Sequence, residues 1–423
     1  MSMVPARRAN ILVIGPTPPP FHGVAVMTTY ILEALEELEC LGAHLDTRDP
    51  QPLETLGSFN RRNVTLGLRH AWRLHRLLRR AGRPTVLLPI SQGTWGFMRD
   101  AAFVLVVRLH RCGLILHLHG AALAEFYKTS GPLICRIIRA VFRQADFGWA
   151  LTPNLETMFA GLVPVSRVRH LENVVPAPPA GISRGDSDGS ENDSRFRVLY
   201  LSNLRHNKGV FDLLEALREI GSAASNWQVR IVGAGSKEVV DALEARASQL
   251  RESGGAQVNV LPPQYDDDKW SEFQAADVFV FPPRAAEGQP LVLLEAMASE
   301  LPIVSTSIGG IPDTVHDGVQ GILVPPADPP ALGEALGRLS DDSDLRNSLG
   351  MRGRTTYEQR YQPRRLARDL TRLLNLAGDP PAHHDGDQNA MQQHHRAQSH
   401  SEMVHRDVPP LGLFEGDIPG PSI

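Results

Sequence analysis

Two glutamates, Glu287 and Glu295, stand eight positions apart in the second half of the chain. Apolar segments at 278–281 and 303–305 flank them and predict the order strand, loop, helix, strand. Glu287 then lies on the loop, and Glu295 lies one to two turns into the helix. Because carboxylates accept hydrogen bonds from hydroxyl groups, this spacing indicates a site for a polyol.

The residues between the two glutamates add a site for an anion. Pro290 suits the first turn of a helix, where its missing N–H costs nothing. Gly288 allows the backbone to approach a ligand closely. The free N–H groups of residues 289–292 then face the loop, where they attract an anion. A polyol joined to a phosphate describes a nucleotide-sugar, which is the ligand that this region predicts.

The length and charge of the chain indicate two unlike domains. Its 423 residues exceed the size at which a single core keeps growing. The formal net charge of −4 combines a basic and an acidic part. Residues 1–175 carry 20 Lys and Arg against 12 Asp and Glu, a balance of +8, and the remaining 23 against 35 give −12. A basic first half suggests an anionic partner or substrate.

Several classes of protein are disfavoured by the sequence. Cys40, Cys112 and Cys135 are widely spaced, so we expect neither a disulfide framework nor a zinc site, and a reducing compartment fits. The apolar run 11–14 is too short for a signal sequence. Runs such as 101–107 fall short of the ~20 residues that span a bilayer. We therefore expect a cytoplasmic protein.

Short apolar strands alternate with amphipathic helices, which predicts the α/β class with two doubly wound, Rossmann-like domains that face each other across a cleft. The predicted strands are 11–14, 86–90, 114–117, 146–151, 197–201, 228–232 and 258–261. The predicted helices are 24–39, 64–80, 210–220, 239–251 and 366–376. Ligands of such sheets bind beyond the carboxyl ends of the strands.

Changes in composition divide the chain. Residues 177–195 contain almost nothing that can pack, which predicts a flexible linker between an N-terminal domain at 1–176 and a C-terminal domain at 196–360. A final helix within 361–377 is expected to pack back on the first domain. Residues 378–423 predict a disordered tail, and its six histidines are not at a metal spacing.

Two loops of the first half carry candidate residues. Gly23 follows the first strand and opens a helix, where its backbone could approach a phosphate, although an ordinary proline-rich loop explains it as well. The spacing there is not G-x-G-x-x-G, which argues against a dinucleotide site. His119 ends a strand just before a glycine, where it could bind sugar hydroxyls and support charge at a reacting carbon. A packed histidine is the alternative, and His117 shares its face of the strand.

Two loops of the second half carry the others. Arg205 and Lys208 follow strand 197–201 and suit a diphosphate leaving group, with a solvated basic loop as the alternative. Gly309 and Gly310 form a strand-to-helix turn that could line the base or the phosphate, or serve backbone geometry alone.

The predicted helix 64–80 is basic and carries Trp72 and several leucines. This pattern is typical of a helix that lies on an anionic membrane surface. A solvated helix with an apolar core side is the commoner explanation. Nucleic acid is not expected as a partner, because the chain has no stacking platform or known binding motif.

Taken together, these residues resemble the retaining family 4 glycosyltransferases, which have the GT-B fold. The resemblance covers most of residues 11–376 and is densest over 197–360. Its most specific part runs from Ala276 to Val324 and includes Glu287-Gly-Gln-Pro-Leu-Val-Leu-Leu-Glu295. That stretch matches the paired-glutamate signature of the family in spacing and in flanks. The tail lies outside the resemblance.

The resemblance implies a retaining transferase that moves a hexosyl unit from a nucleoside-diphosphate sugar, such as a UDP-sugar, to an acceptor hydroxyl. It implies that the C-terminal domain holds the donor and that the N-terminal domain binds the acceptor, which is a saccharide or is linked to a lipid. The implied catalytic residues are His119, Glu287 and Lys208. The implied donor-binding residues are Gly23, Asn203, Arg205, Lys208, Glu287, Gly288, Gln289, Pro290, Leu291, Glu295, Gly309 and Gly310.

Within this set, Glu295 would hold the ribose and Glu287 the transferred sugar. Asn173 matches the family's asparagine at the entrance to the linker. One position departs from the pattern, because Asn203 stands where the family commonly places an arginine. Arg205 could substitute for that arginine from two positions on.

Retention in this family is usually explained by front-side attack, in which the departing diphosphate takes the proton of the acceptor. The protein then supplies positioning and charge, so we expect no cofactor and no required metal ion. The string Asp266–Asp268 precedes a helix and predicts a helix start rather than a metal pair.

Two other functions fit the same motifs. A GT-B protein could bind a nucleotide-sugar without transferring it, as a subunit of an assembly. It could also be an epimerase, which converts a UDP-sugar without any acceptor. A nicotinamide enzyme is disfavoured by the missing glycine fingerprint.

Overall fold

The computed structural model describes residues 10–48, 61–181 and 195–375. The predicted tail at 378–423 and most of the predicted linker lie outside these ranges. The boundaries predicted for the domains stay predictions.

The first half of the described chain folds around a parallel sheet of six strands. They are β1 (Ile11–Gly15), β2 (Leu41–Asp46), β3 (Thr85–Pro89), β4 (Gly113–His117), β5 (Phe147–Ala150) and β6 (Val168–His170), in the order β2-β1-β3-β4-β5-β6. Its helices are α1 (Gly23–Glu37), α2 (Arg61–Arg80), α3 (Thr94–Leu109), α4 (Leu123–Thr129) and α5 (Pro132–Phe142). The order of the strands reverses between β1 and β3.

The second half repeats this architecture. Its strands are β7 (Phe196–Leu201), β8 (Trp227–Val232), β9 (Gln257–Leu261), β10 (Val278–Phe281), β11 (Ile303–Thr306) and β12 (Gly321–Val324), in the order β12-β11-β10-β7-β8-β9. Its helices are α6 (Val210–Ile220), α7 (Lys237–Glu252), α8 (Asp266–Gln274), α9 (Leu291–Ala298), α10 (Ile311–Thr314), α11 (Pro329–Asp341), α12 (Ser343–Arg360) and α13 (Pro363–Asn375). Here the order reverses between β7 and β10.

The central strands are buried on both faces, as expected for sheets that helices cover on two sides. All four residues of β10 and all four of β11 are buried. The predicted class, two doubly wound Rossmann-like domains, is therefore confirmed. The sequence did not predict β2, because this edge strand is only partly buried and lacks a continuous apolar run.

Helix α13 belongs to the core of the first domain, although it follows the second domain in the chain. Leu366, Leu370 and Leu373 recur at helical spacing and pack in one buried cluster with residues of α1 such as Ile31 and Leu35. The chain thus crosses between the domains twice. Where these crossings meet, the N–H of Val175 donates to the carbonyl of Tyr361 at 3.0 Å.

We predict that Leu370→Ala destabilises the first domain, because its side chain is fully buried between α13 and α1. Removing such a leucine typically lowers the free energy of unfolding by roughly 2–5 kcal/mol. Urea denaturation measures this change. The exposed neighbour Arg368 supplies the control, since Arg368→Ala should change stability by no more than about 0.5 kcal/mol. Equal stability of the two variants would show that α13 is not part of this core.

Candidate active site

The reversal between β7 and β10 brings two predicted loops together. Ligands of open α/β sheets bind at such a point, because the loops from the two neighbouring strands run in opposite directions and leave a crevice. The loop after β7 ends in a short 3-10 helix, His206–Lys208. The loop after β10 covers residues 282–290 and leads into α9.

Lys208 and Glu287, which were predicted separately, form an ion pair across this crevice. Lys208 Nζ lies 2.5 Å from Glu287 Oε1, and the side chains are 22% and 17% exposed. Gly209 allows this approach. Its φ of 76° suits glycine, and a Cβ there would lie 1.7 Å from the carbonyl oxygen of Pro282. The pair therefore sits in a fixed position with one side open to solvent.

The loop that carries Glu287 is tied down at its other end. The N–H of Arg284 donates to the carbonyl of Asn207 at 3.0 Å. The Arg284 guanidinium forms two hydrogen bonds with the carboxylate of Asp212, a residue of α6 that is nearly fully buried. The two loops consequently form one rigid unit, which is what a site needs in order to position a reacting group.

Glu295 lies in the second turn of α9 and has a partner that the sequence did not indicate. Lys269 Nζ of α8 donates to Glu295 Oε1 at 2.8 Å. Tyr30 of the first domain lies near this carboxylate. Burial, and then the charge of Glu295, raise the pKa of Tyr30 to about 12. Pro290 occupies the N-cap of α9 with an extended ψ of 124°, so the helix begins one residue later than predicted.

Three predicted glycines allow close backbone contacts at the site, and one of them, Gly288, touches the backbone of the other domain. A Cβ at Gly288 would lie 2.3 Å from the carbonyl oxygen of His119, and one at Gly310 would lie 2.2 Å from the carbonyl oxygen of Gly288. Gly309 has a φ of 62°, and the N–H of Gly310 donates to the carbonyl of Glu287 at 3.0 Å. The close approach expected at Gly288 is thus made to the His119 loop, which carries His119 to the glutamate site.

Gln289 joins the domains through its side chain. The N–H of Asn173 donates to Gln289 Oε1 at 2.6 Å, and Asn173 Nδ2 donates to the Gln289 carbonyl at 2.7 Å. Gln289 Nε2 also donates to Thr314 Oγ1 at 3.4 Å. Its backbone N–H is the group that remains for a ligand. Next in sequence after Pro290, Leu291 packs against the apolar cores of both domains.

The histidines at the end of β4 form a neutral pair. The rings of His117 and His119 lie 4.0 Å apart between centroids. Burial, and then the neighbouring His22, lower the pKa of His119 to about 4. Burial also holds the pKa of His117 well below its usual value. His119 Nε2 has no hydrogen-bond partner within the described part of the chain, so it is available to a ligand.

The remaining predicted residues line the open side. Gly23 is the first residue of α1, and a Cβ there would meet nothing within 4 Å. The side chain of the preceding His22 caps α1, because its Nδ1 accepts from the N–H of Ala25 at 3.3 Å. Asn203 and Arg205 are exposed on the loop after β7, and no ion pair of Arg205 is seen among residues 195–375.

Two further features bear on metals and membranes. The string Asp266–Asp268 forms the first turn of α8, as predicted. Across residues 10–48, 61–181 and 195–375, no three His, Cys, Asp or Glu side chains are grouped so as to hold a metal ion. In the same ranges, no helix has the length and apolar character to cross a bilayer.

Sequence comparison identifies relatives of part of the chain. Residues 186–356 match the family of glycosyl transferases group 1. The capsular polysaccharide biosynthesis glycosyltransferase CapM of Staphylococcus aureus is 28% identical over 43% of this chain and 47% of its own length. A GDP-mannose-dependent monoacylated alpha-(1-6)-phosphatidylinositol monomannoside mannosyltransferase of Corynebacterium glutamicum is 30% identical over 58% of this chain and 62% of its own. The chain thus spans about half the length of these curated relatives, and the match to the family lies within residues 186–356.

Structural comparison extends over both domains. Anabaena HepE, solved in complex with UDP and glucose, superposes with a TM-score of 0.63 at 16% identity, over 87% of this chain and 99% of HepE. Sucrose-phosphate synthase from Thermosynechococcus elongatus superposes with a TM-score of 0.67 at 18% identity, over 88% of this chain and 99% of the synthase. At such low sequence identity the superpositions are evidence for the fold alone. They confirm the predicted GT-B arrangement.

We predict that acid destabilises the protein through His119. The pKa of His119 is about 4 in the folded protein and about 6.5 in an unfolded chain. The unfolded state therefore binds more protons between these values, and the free energy of unfolding should decrease as the pH falls from about 6.5 towards 4. For this group the loss should reach roughly 1–2 kcal/mol near pH 5.

Urea denaturation across this pH range measures the effect. His119→Asn should flatten the slope, whereas His316→Asn, on an exposed loop of the second domain, serves as the control. An NMR titration reports the same group directly. A His119 resonance that titrates near pH 6.5 would contradict the buried, neutral imidazole.

Proposed function

We propose that the protein is a retaining glycosyltransferase, which moves a hexosyl unit from a nucleoside-diphosphate sugar to an acceptor hydroxyl. The observation that carries this proposal is the Lys208–Glu287 ion pair at the reversal between β7 and β10. Glu295 lies further along the same segment, and the backbone of His119 touches the loop from the opposite domain. We infer that the two carboxylates, the lysine and the imidazole act on one bound ligand.

The ion pair suits a diphosphate next to a sugar. Lys208 can exchange the Glu287 carboxylate for a phosphate oxygen, since a charge-assisted hydrogen bond is formed in either case. Glu287 is then released to accept hydrogen bonds from the hydroxyls of the transferred sugar. Lys269 holds the Glu295 carboxylate in one orientation through its hydrogen bond, so that this carboxylate can accept from the two ribose hydroxyls. Arg205, on the exposed loop, is proposed to reach the second phosphate in place of an arginine at Asn203.

The neutral state of His119 fits the transition state of glycosyl transfer. Positive charge develops at the anomeric carbon as the diphosphate leaves, and a protonated imidazole beside it would oppose that charge. A neutral imidazole can instead hydrogen-bond the sugar through Nε2. Front-side attack requires nothing further from the protein than this positioning. We therefore propose that Lys208, Arg205 and the N-terminus of α9 neutralise the leaving group without a metal ion or cofactor.

Relatives support the class of substrate. Anabaena HepE was solved with UDP and glucose, which favours a UDP-sugar as the first donor to test. CapM acts in capsular polysaccharide biosynthesis, and the mannosyltransferase relative acts on a phosphatidylinositol glycolipid. We infer an acceptor that is a saccharide or is linked to a lipid, in polysaccharide or glycolipid assembly on the cytoplasmic side of a membrane.

We predict that Lys208→Ala and Glu287→Ala each lower the rate of donor cleavage by roughly 10²–10³-fold, which is typical of the loss of one group that stabilises transition-state charge. Release of UDP from UDP-glucose and of GDP from GDP-mannose measures this rate, with and without EDTA. Lys237→Ala is the matched control, because Lys237 pairs with Asp241 on the exposed surface of α7. Full activity in either site variant would refute the assignment, and loss of activity in EDTA would refute metal independence.

The same assay separates the alternatives. An epimerase would convert the UDP-sugar to its isomer without releasing UDP. A binding subunit would take up the UDP-sugar, detected by a rise in melting temperature, and would leave it intact. A retaining transferase would release UDP and produce a glycoside with the anomeric configuration of the donor.

We also propose that α2 rests on an anionic membrane. Val64, Leu68 and Trp72 follow one another at intervals of four residues and are 46%, 67% and 57% exposed. We call these three residues the α2 stripe. The sequence of α2 contains seven arginines and no acidic residue, so its charge complements anionic lipids.

Trp72→Ser should weaken binding to vesicles of phosphatidylcholine and phosphatidylglycerol by roughly ten-fold, because an aromatic side chain no longer enters the bilayer interface. Vesicle flotation measures this at low and high salt. Met351→Ser changes a similarly exposed apolar side chain on α12 of the second domain and is the control. Equal binding by both variants and the unmodified protein would show that the α2 stripe does not contact the membrane.

A further inference from the structure

A cavity of about 770 Å³ lies in the first domain. It occupies the reversal between β1 and β3, where the loops after these two strands separate. This is the counterpart of the crevice that holds Lys208 and Glu287 in the second domain. The position and the volume are both typical of small-molecule sites. The proposed contacts of the donor lie mainly in the second domain and reach this cavity only at His119, which leaves most of the space for another molecule.

The wall of the cavity is mostly apolar. Side chains of α2, β3 and α3 contribute, and they include Val64, Leu68, Leu88, Ile90, Trp95 and Met98. A free saccharide would leave such a wall without partners, since sugar hydroxyls require polar groups. The wall instead suits a hydrocarbon chain.

Polar groups occur at defined places in this apolar wall. His22 and His119 line the cavity, and its other polar residues include Ser91, Gln92 and the Arg99–Asp100 pair. His70 lines it from α2, is only 3% exposed, and its Nδ1 has no hydrogen-bond partner among the described residues. Buried polar atoms are rarely left unpaired. An oxygen of a bound ligand would supply the missing partner for His70.

The cavity also reaches the α2 stripe. Val64 and Leu68 belong to the stripe and line the cavity as well. Positive charge lies near His70, because burial and then Arg99 of the cavity wall, with Arg73 and Arg69 of α2, lower the pKa of His70. Arg99 also pairs with the buried Asp100, which lines the cavity as well. A molecule with an apolar chain and a phosphate complements both the apolar wall and this positive charge.

We propose that this cavity binds the hydrocarbon chain of an acceptor in which a lipid phosphate carries the saccharide. The phosphate lies at α2 with an oxygen at His70, and the accepting hydroxyl lies at His119, beside the donor. The proposal rests on the proposed transferase function, whose acceptor it specifies. It gives the α2 stripe a second role, because the lipid chain leaves the membrane and enters the protein at the same place.

Calorimetric titration with n-alkyl phosphates of increasing chain length, below their micelle concentrations, tests the cavity. Affinity should rise by about four-fold for each added methylene until the cavity is filled, because each buried methylene contributes about 0.8 kcal/mol. Inorganic phosphate measures the contribution of the charged group alone. An affinity that does not depend on chain length would overturn the proposal.

Variants locate the binding. Trp95→Ser and Leu68→Glu change exposed residues of the cavity wall. Each substitution should lower the affinity for decyl phosphate by roughly ten-fold or more. Leu105→Glu is the matched control for Leu68→Glu, because Leu105 is similarly exposed on α3 but does not line the cavity. Equal weakening by Leu105→Glu would refute the location. UDP titrated into the same samples verifies that each variant is folded.

The cavity could take its alkyl phosphate from the acceptor or from a lipid of the bilayer. The variant Trp95→Ser distinguishes these two sources. Trp95 lies outside the α2 stripe, so this variant should still bind anionic vesicles. If Trp95→Ser abolished both vesicle binding and decyl phosphate binding, the cavity would be assigned to a membrane lipid. That result would overturn the proposal that it binds the acceptor. Failure of the transferase proposal looks different, because UDP-sugars would then remain intact while decyl phosphate binding still depended on chain length.

Discussion

The candidate site depends on a contact between backbones that leaves no room for side chains. Gly288 meets the carbonyl of His119 from the other domain, and Gly310 meets Gly288 in turn. Any Cβ at these two positions would overlap a carbonyl oxygen. Because the contact is made by main chain, it positions His119 relative to Glu287 more accurately than flexible side chains could. The same loops are held by Asn173 and Gln289, so one small region both joins the domains and forms the site.

Around this contact, each carboxylate of the signature has its own lysine. Isolated charges in partly buried positions are costly, and a partner removes most of that cost. Lys208 belongs to the loop after β7 and Lys269 to α8, so the two pairs are held by different elements. The first pair is open to solvent on one side and can exchange partners when an anion arrives. In the second pair the carboxylate is more deeply buried, since Glu295 is 8% exposed against 17% for Glu287, and Lys269 holds it in one orientation. The difference agrees with a reacting sugar at Glu287 and a stationary ribose at Glu295.

The two sheets reverse their strand order at equivalent places but surround different chemistry. In the second domain the crevice is lined by charged groups and free N–H groups. In the first domain it is an apolar cavity with a few histidines, next to a helix rich in arginine. Helix α13 packs against α1, whose first residues lie between the two crevices. In the function that we propose, one crevice holds a polar donor and the other an amphiphilic acceptor, and His119 serves both.

Local sequence patterns determined most of the strands, many of the helices and the spacing of Glu287 and Glu295, because these depend on periodicity and on turn residues near in the chain. The strands β2, β6 and β12 were not predicted. The positions of Lys208 and Gly309 followed from the same rule, since both occur after a predicted strand. Tertiary structure alone decided that Lys208 pairs with Glu287, that Lys269 pairs with Glu295, and that the His119 loop touches Gly288. These partners are separated by 79, 26 and 169 positions in the order given, and no local pattern encodes which distant loops meet. Tertiary structure alone also decided the apolar cavity. Its walls come from β1, β3, α2 and α3, which become neighbours only when the sheet forms.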